Sequence, residues 1–206
     1  MGRFITLKLY GTKVYKFTQG KTILTLLGDI PDAEYMEVRT GVCAALTVDW
    51  LVEKLTRPWT LQFTGDFAGG RVHFERNRET VQRNVRRQLD YDRHGSTSQL
   101  LQDAGLKEYD QPPIFGPTIT FDTKLARIAA ATENGRGAYV GITAAGRGHA
   151  VGMYRSRRAH LYFFDANCGV YQVDDQNAPA FFNELATCYA NIQYPLAYTD
   201  ASFVRT

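Results

Sequence analysis

A thiol, an imidazole and a carboxylate can together perform nucleophilic chemistry, and this 206-residue chain carries three cysteines and four histidines from which to build such a set. The thiolate is the attacking species, so a reactive cysteine needs an imidazole or a helix N-terminus to hold its charge. Cys43 has the second of these. It follows Gly41-Val42 and opens the run Ala45, Leu46, Trp50, Leu51 and Leu55, whose apolar residues recur at three and four and stop before Pro58. The pattern predicts a buried helix starting near Cys43, where unpaired backbone N–H groups and the helix dipole favour a thiolate. Ala44-Ala45 lets another wall pack closely beside it. Cys168, between Asn167 and Gly169, reads as a turn residue, and Cys188 in Leu185-Ala186-Thr187-Cys188-Tyr189 as the core of an apolar helix.

The imidazole is His149, in Gly146-Arg147-Gly148-His149-Ala150-Val151-Gly152, and the carboxylate is Asp165, which ends Tyr162-Phe163-Phe164-Asp165. Both lie on segments that read as strands. A hairpin centred on Arg157 would place His149 opposite Asp165, Val151 opposite Phe163 and Met153 opposite Leu161. Ala150, Gly152 and Tyr154 would meet Phe164, Tyr162 and His160 on the other face. Opposed residues have Cβ atoms roughly 4.5–5.5 Å apart, within reach for a carboxylate to hold a ring nitrogen. A slip by one residue would send the two to opposite faces. Such a pair is either a satisfied structural contact or the oriented imidazole that a Cys/His nucleophilic site requires.

Other chemistries find less support. His73-Phe74-Glu75 matches half of a zinc deaminase signature, but no Pro precedes any Cys to complete it. With no C-x-x-C and no H-E-x-x-H, neither a metal nor an organic cofactor is expected. Residues 71–93 hold seven arginines against Glu75, Glu79, Asp90 and Asp92, a solvated helix face or a contact for an acidic partner. Three cysteines are too few for a disulfide framework and read as free thiols in a reducing compartment. Nucleic acid is not expected as a partner from a net charge of only +3.

The elements that must position these residues read as α+β. The chain is 44% hydrophobic and 22% charged, the arithmetic of a globular protein rather than a disordered one. No apolar run reaches the roughly 18 residues of a membrane span. A single domain over 1–206 is expected, with a strand-rich lead-in at 1–35, a mainly helical half at 36–135 and an antiparallel half at 136–206. Within it, Val81, Val85 and Leu89 mark a helix in 71–93. Ser96 caps a short helix through Leu101, Pro112-Pro113 ends the helical half, and Asp122 caps a helix over Leu125–Ala131. Strands follow at 138–143, 149–154, 161–165 and 170–173, then a helix at 178–190 and a closing strand at 194–204. The N-terminus fits M-G-x-x-x-[ST], a myristoylation pattern, although Phe4-Ile5 reads as the start of a strand, and it lacks the apolar core of a secretory signal.

Gly41-Val42-Cys43-Ala44-Ala45-Leu46-Thr47-Val48-Asp49-Trp50-Leu51, Gly148-His149-Ala150-Val151 and Phe163-Phe164-Asp165-Ala166-Asn167-Cys168-Gly169 resemble the Cys, His and Asp blocks of the YopT-like cysteine peptidases, papain-fold effectors of bacterial pathogens. The likeness covers residues 40–55 and 147–173. It implies a papain-like fold in which a helical half presents Cys43 across a cleft from an antiparallel half presenting His149 and Asp165. It also implies acyl transfer to the thiol, hydrolysis of the thioester, a protein substrate, and a secreted virulence effector or toxin that acts in the cytosol of a target cell without a cleavable signal. Related enzymes place an amide side chain before the Cys as an oxyanion donor, whereas this chain has Glu37-Val38-Arg39-Thr40. The Cys43 N–H supplies one donor, and Arg39 is the candidate for the second. Two other functions fit the same residues: a protein-glutamine deamidase or transglutaminase-like toxin, and a silent papain-like binding module using the Arg-rich helix.

Overall fold

The computed structural model describes residues 7, 9–15, 41–57, 78–111, 119–144 and 147–206. The described elements, in chain order, are β1 (Gly11–Tyr15), α1 (Cys43–Thr56), α2 (Arg78–His94), α3 (Thr97–Asp103), β2 (Lys107–Glu108), α4 (Phe121–Ala131), β3 (Arg136–Ala144), β4 (Arg147–Arg155), β5 (Leu161–Asp165), β6 (Gly169–Val173), α5 (Ala178–Asn191) and β7 (Leu196–Arg205). Outside the described residues lie most of the strand-rich lead-in, residues 71–77 with His73-Phe74-Glu75, Pro112-Pro113, and Arg39. No helix among the described residues is long and apolar enough to cross a membrane.

The described strands form one sheet in the order β1-β6-β5-β4-β3-β7-β2, and every pairing in it is antiparallel. Alternation along the strands divides the buried residues between two faces. Tyr139, Ala150, Tyr154, Tyr162, Phe164 and Val170 face the layer containing α1, α2 and α3. Val140, Ile142, Val151, Met153, Phe163 and Tyr171 face the layer containing α4 and α5. On the first face Trp50 stacks on Phe164, ring centroids 5.3 Å apart. Gly152 lies beneath the helix there, and a Cβ at that position would meet the Trp50 ring at 3.0 Å and Thr47 at 3.2 Å, so the lack of a side chain sets how closely α1 approaches β4. On the second face Phe163, Phe181 and Phe182 pack edge to face with centroids 5.3–5.5 Å apart.

The β4–β5 register corrects the hairpin expected from sequence. Val151, not His149, pairs with Asp165; Gly152 pairs with Phe164, Met153 with Phe163 and Tyr154 with Tyr162. The ladder is displaced by two residues because the loop is Arg157-Arg158-Ala159. It is closed by Ser156 N–H donating to His160 O at 2.9 Å, with Ala159 at φ +66. This is a three-residue hairpin whose left-handed position is filled without glycine. A displacement of two preserves facing, so His149 and Asp165 stay on one side of the sheet as diagonal neighbours. Two smaller expectations also change. The residue before α4 is Thr120, with Asp122 inside the first turn, and Cys188 is half-buried on α5 rather than in the core.

Candidate active site

Helix α1 begins at Cys43 because Gly41, at φ +124, lets the chain turn into it in a conformation that other residues adopt only under strain. Its N-cap is Val42, whose side chain cannot accept a hydrogen bond. Gln88 on α2 supplies the missing acceptor: its Oε1 takes the N–H groups of Ala44 at 3.1 Å and Ala45 at 3.2 Å. Leu46 N–H donates to Val42 O at 3.0 Å. Of the four N–H groups in the opening turn, only that of Cys43 has no acceptor among the described residues. The Gln88 amide is itself held through Nε2, which donates to Asp92 Oδ1 at 2.9 Å.

The Arg-rich helix is anchored to the same element. Arg83 reaches Asp49 of α1 at 2.9 Å, Arg87 approaches the same oxygen at 3.7 Å, and Asn84 Nδ2 donates to its partner oxygen at 3.2 Å. Part of the basic face that sequence offered to solvent or an acidic partner therefore clamps α2 onto the helix carrying Cys43.

His149 and Asp165 are both buried, at 7% and 0% exposure. His149 Nε2–H donates to Asp165 Oδ1 at 3.1 Å. The same oxygen accepts the Asn167 N–H at 2.7 Å, while Oδ2 accepts the Tyr189 hydroxyl at 2.8 Å. With Nε2 engaged by Asp165, Nδ1 is the nitrogen left to face Cys43, which lies near enough to act on the charge of the imidazole. Thr47 Oγ1, one turn along α1, donates to Ala150 O at 3.2 Å and ties the helix to the strand next to the imidazole.

Burial opposes charge on both members of the pair, and the pair overcomes it. For His149, burial disfavours the imidazolium, but Asp165 and Cys43, each by charge and by hydrogen bond, raise it to about 10. For Asp165, burial pushes the carboxyl up, and His149, the Asn167 N–H and the Tyr189 hydroxyl together hold it below the ordinary carboxylate value. The pair is therefore an imidazolium–carboxylate at neutral pH. Cys168 is fully buried, and burial together with the adjacent Asp165 pushes its thiol well above the ordinary range, so it is a poor nucleophile. Tyr139 is buried, and burial, with Tyr91, Cys43 and Asp200 nearby, pushes its phenol well above the usual range.

The structure bonds His149 to Asp165 and places Cys43 near enough to His149 to act on its charge. It adds Gln88, Asn167 and Tyr189, which sequence did not single out. A cysteine at the head of a helix, an imidazole on an antiparallel sheet and a carboxylate behind it make up the architecture of a papain-like cysteine peptidase. The chain matches the family model Peptidase_C58, Yersinia/Haemophilus virulence surface antigen, over residues 6–197, and belongs to that family. Its fold is similar to the crystal structure of the Pseudomonas avirulence protein AvrPphB, at 17% identity, with a TM-score of 0.61 over 97% of this chain and 98% of that one. No curated protein matches it in sequence.

Proposed function

We propose that the enzyme hydrolyses a peptide bond in a target protein, with Cys43 as nucleophile, His149 as general base and then acid, and Asp165 as the carboxylate that orients the imidazole. The observation that carries this is the position of His149, bonded through Nε2 to a buried carboxylate and close enough to the thiol at the head of α1 for the two to act on each other's charge. In the first step the Cys43 sulfur, activated by His149, attacks the scissile carbonyl carbon. The resulting oxyanion is met by the Cys43 N–H, which has no acceptor among the described residues. Collapse expels the amine, which takes the proton from His149 and leaves a thioester. His149, now neutral, removes a proton from water, the hydroxide adds to the thioester carbon, and the acid departs as the proton returns to the Cys43–His149 pair. Asp165 remains ionised throughout and supports the imidazolium.

The family's description as a virulence antigen and the avirulence protein that shares its fold support an effector role, with the target protein inside another cell. The three free cysteines suit a reducing compartment.

The test is to treat a cell lysate with the wild-type protein or Cys43→Ala and map new protein N-termini by mass spectrometry. New termini are expected with the wild type alone. Conversion of side-chain amides to acids without any new terminus would replace proteolysis by deamidation, and an unchanged proteome would leave a binding module.

A further inference from the structure

Asp165 is held at both oxygens, and the donor at the second comes from the helix that covers the sheet face opposite α1. Oδ1 receives His149 and the Asn167 N–H, both from the strand side. Oδ2 receives Tyr189, near the C-terminal end of α5, which packs on the face opposite α1. The tyrosine hydroxyl is fully used. Its one hydrogen goes to Asp165 at 2.8 Å, so its 3.3 Å contact with His149 Nε2 is one in which the imidazole N–H points at the phenol oxygen. Asn167 Nδ2, 3.0 Å away, fills the remaining acceptor position. At 2% exposure Tyr189 is shielded from water that could take over any of these bonds.

We propose that Tyr189, braced by Asn167, is a positioning residue of the peptidase site, clamping the second oxygen of Asp165 and sharing the Nε2 proton of His149 so that Nδ1 stays turned towards Cys43. This rests on Cys43, His149 and Asp165 being the reactive set. A carboxylate anchored at one oxygen can swing about its Cβ–Cγ bond and carry the imidazole with it, whereas donors at both oxygens fix its plane. Asn167 serves twice, its backbone N–H on Asp165 and its side chain on the tyrosine, so the turn following β5 locks the carboxylate and its clamp together. Burial and the neighbouring Asp165 also keep the phenol protonated well past its usual range, which leaves it a hydrogen donor wherever the enzyme is folded. A tyrosine kept only for packing would need one partner for its hydroxyl; this one touches Asp165, His149 and Asn167.

The experiment uses iodoacetamide as the probe and needs no knowledge of the substrate. The rate of Cys43 alkylation is followed by peptide mass spectrometry at pH 6 and pH 9 in the wild type, Tyr189→Phe, Asn167→Ala and His149→Ala. Tyr189→Phe keeps the ring in the core and is expected to lower the pH 6 rate about fivefold while leaving the pH 9 rate near wild type. Asn167→Ala, which leaves the aromatic core untouched, should change the ratio in the same direction by less, and it carries the test if Tyr189→Phe fails to fold. If these variants melt at lower temperature but keep the wild-type ratio, the hydroxyl is structural and the proposal falls. If His149→Ala also keeps that ratio, the assignment of the reactive set has failed instead.

Discussion

The carboxamide oxygen of Gln88 lies 3.1 Å from the backbone nitrogen of Ala44, so the helix that begins with Cys43 is capped by a side chain of a neighbouring helix rather than by its own N-cap residue. Gln88→Leu preserves bulk but strands two buried N–H groups. It should cost about 1–2 kcal/mol of stability, read as a lower urea midpoint, and peptidase activity should fall with it as the first turn of α1 loosens. Gln88→Glu restores the acceptor but sets a carboxylate against Asp92 where the amide donated, so it should recover the stability only in part. A Gln88→Leu protein as stable and active as the wild type would show that the cap contributes nothing.

Limiting iodoacetamide at neutral pH should modify Cys43 ahead of Cys188 and far ahead of Cys168. Cys188 is more accessible, but burial and Glu184 push its thiol up, while Cys168 is buried beside Asp165. Cys43→Ala should abolish turnover with little change in melting temperature, because one sulfur is lost and no large volume. Equal labelling of all three thiols would remove Cys43 from the nucleophile role.

Asp165→Asn should narrow the active pH range from the alkaline side. In the wild type His149 is charged up to about 10, held there against burial by Asp165 and Cys43. Without the carboxylate, burial regains weight, and the alkaline limb of kcat/KM should move down by at least about one unit. Stability carries the same signature. Because the folded value lies above the unfolded one, the contribution of His149 is complete below about pH 6.5 and is lost as pH rises towards the folded value. Asp165→Asn should show less of that decline in melts at pH 6 and pH 10.

Lys54 titrates in the opposite sense. It is buried in α1 at 2% exposure, and burial lowers it to about 8 despite the pull of Glu53. A lysine depressed on folding costs stability while it is charged, and that cost fades as pH rises from the folded value to the unfolded one. The stability of Lys54→Met relative to the wild type should therefore be about 2 kcal/mol more favourable at pH 7 than at pH 10. A difference that does not change with pH would mean that Lys54 is not desolvated.

How far sequence reaches into this site depends on the range of each contact. Helix α1 was legible because its apolar period runs from Ala45 to Leu55 and Pro58 closes it, and the shared facing of His149 and Asp165 survived because strand parity is insensitive to a shift of two. The register itself was not legible, since Ala159 adopts φ +66 without the glycine that would signal such a loop. Gln88 and Tyr189 were hidden for another reason. Each sits on a helix stripe among apolar neighbours, and each finds its partners across 44 and 24 residues of chain, respectively, where no local pattern records the meeting. Asn167 belongs to the Asp165 block, but nothing in its composition tells that both its amide groups serve the site.

The Cys43 N–H, without an acceptor among the described residues once Gln88 has satisfied its two neighbours, bears on how the enzyme could be inhibited. An aldehyde that adds reversibly to Cys43 gives a tetrahedral hemithioacetal whose oxygen can accept from that donor, and the adduct gains a hydrogen bond that a haloacetamide thioether cannot form. Compounds that mimic a tetrahedral centre should for this reason be retained out of proportion to their intrinsic electrophilicity.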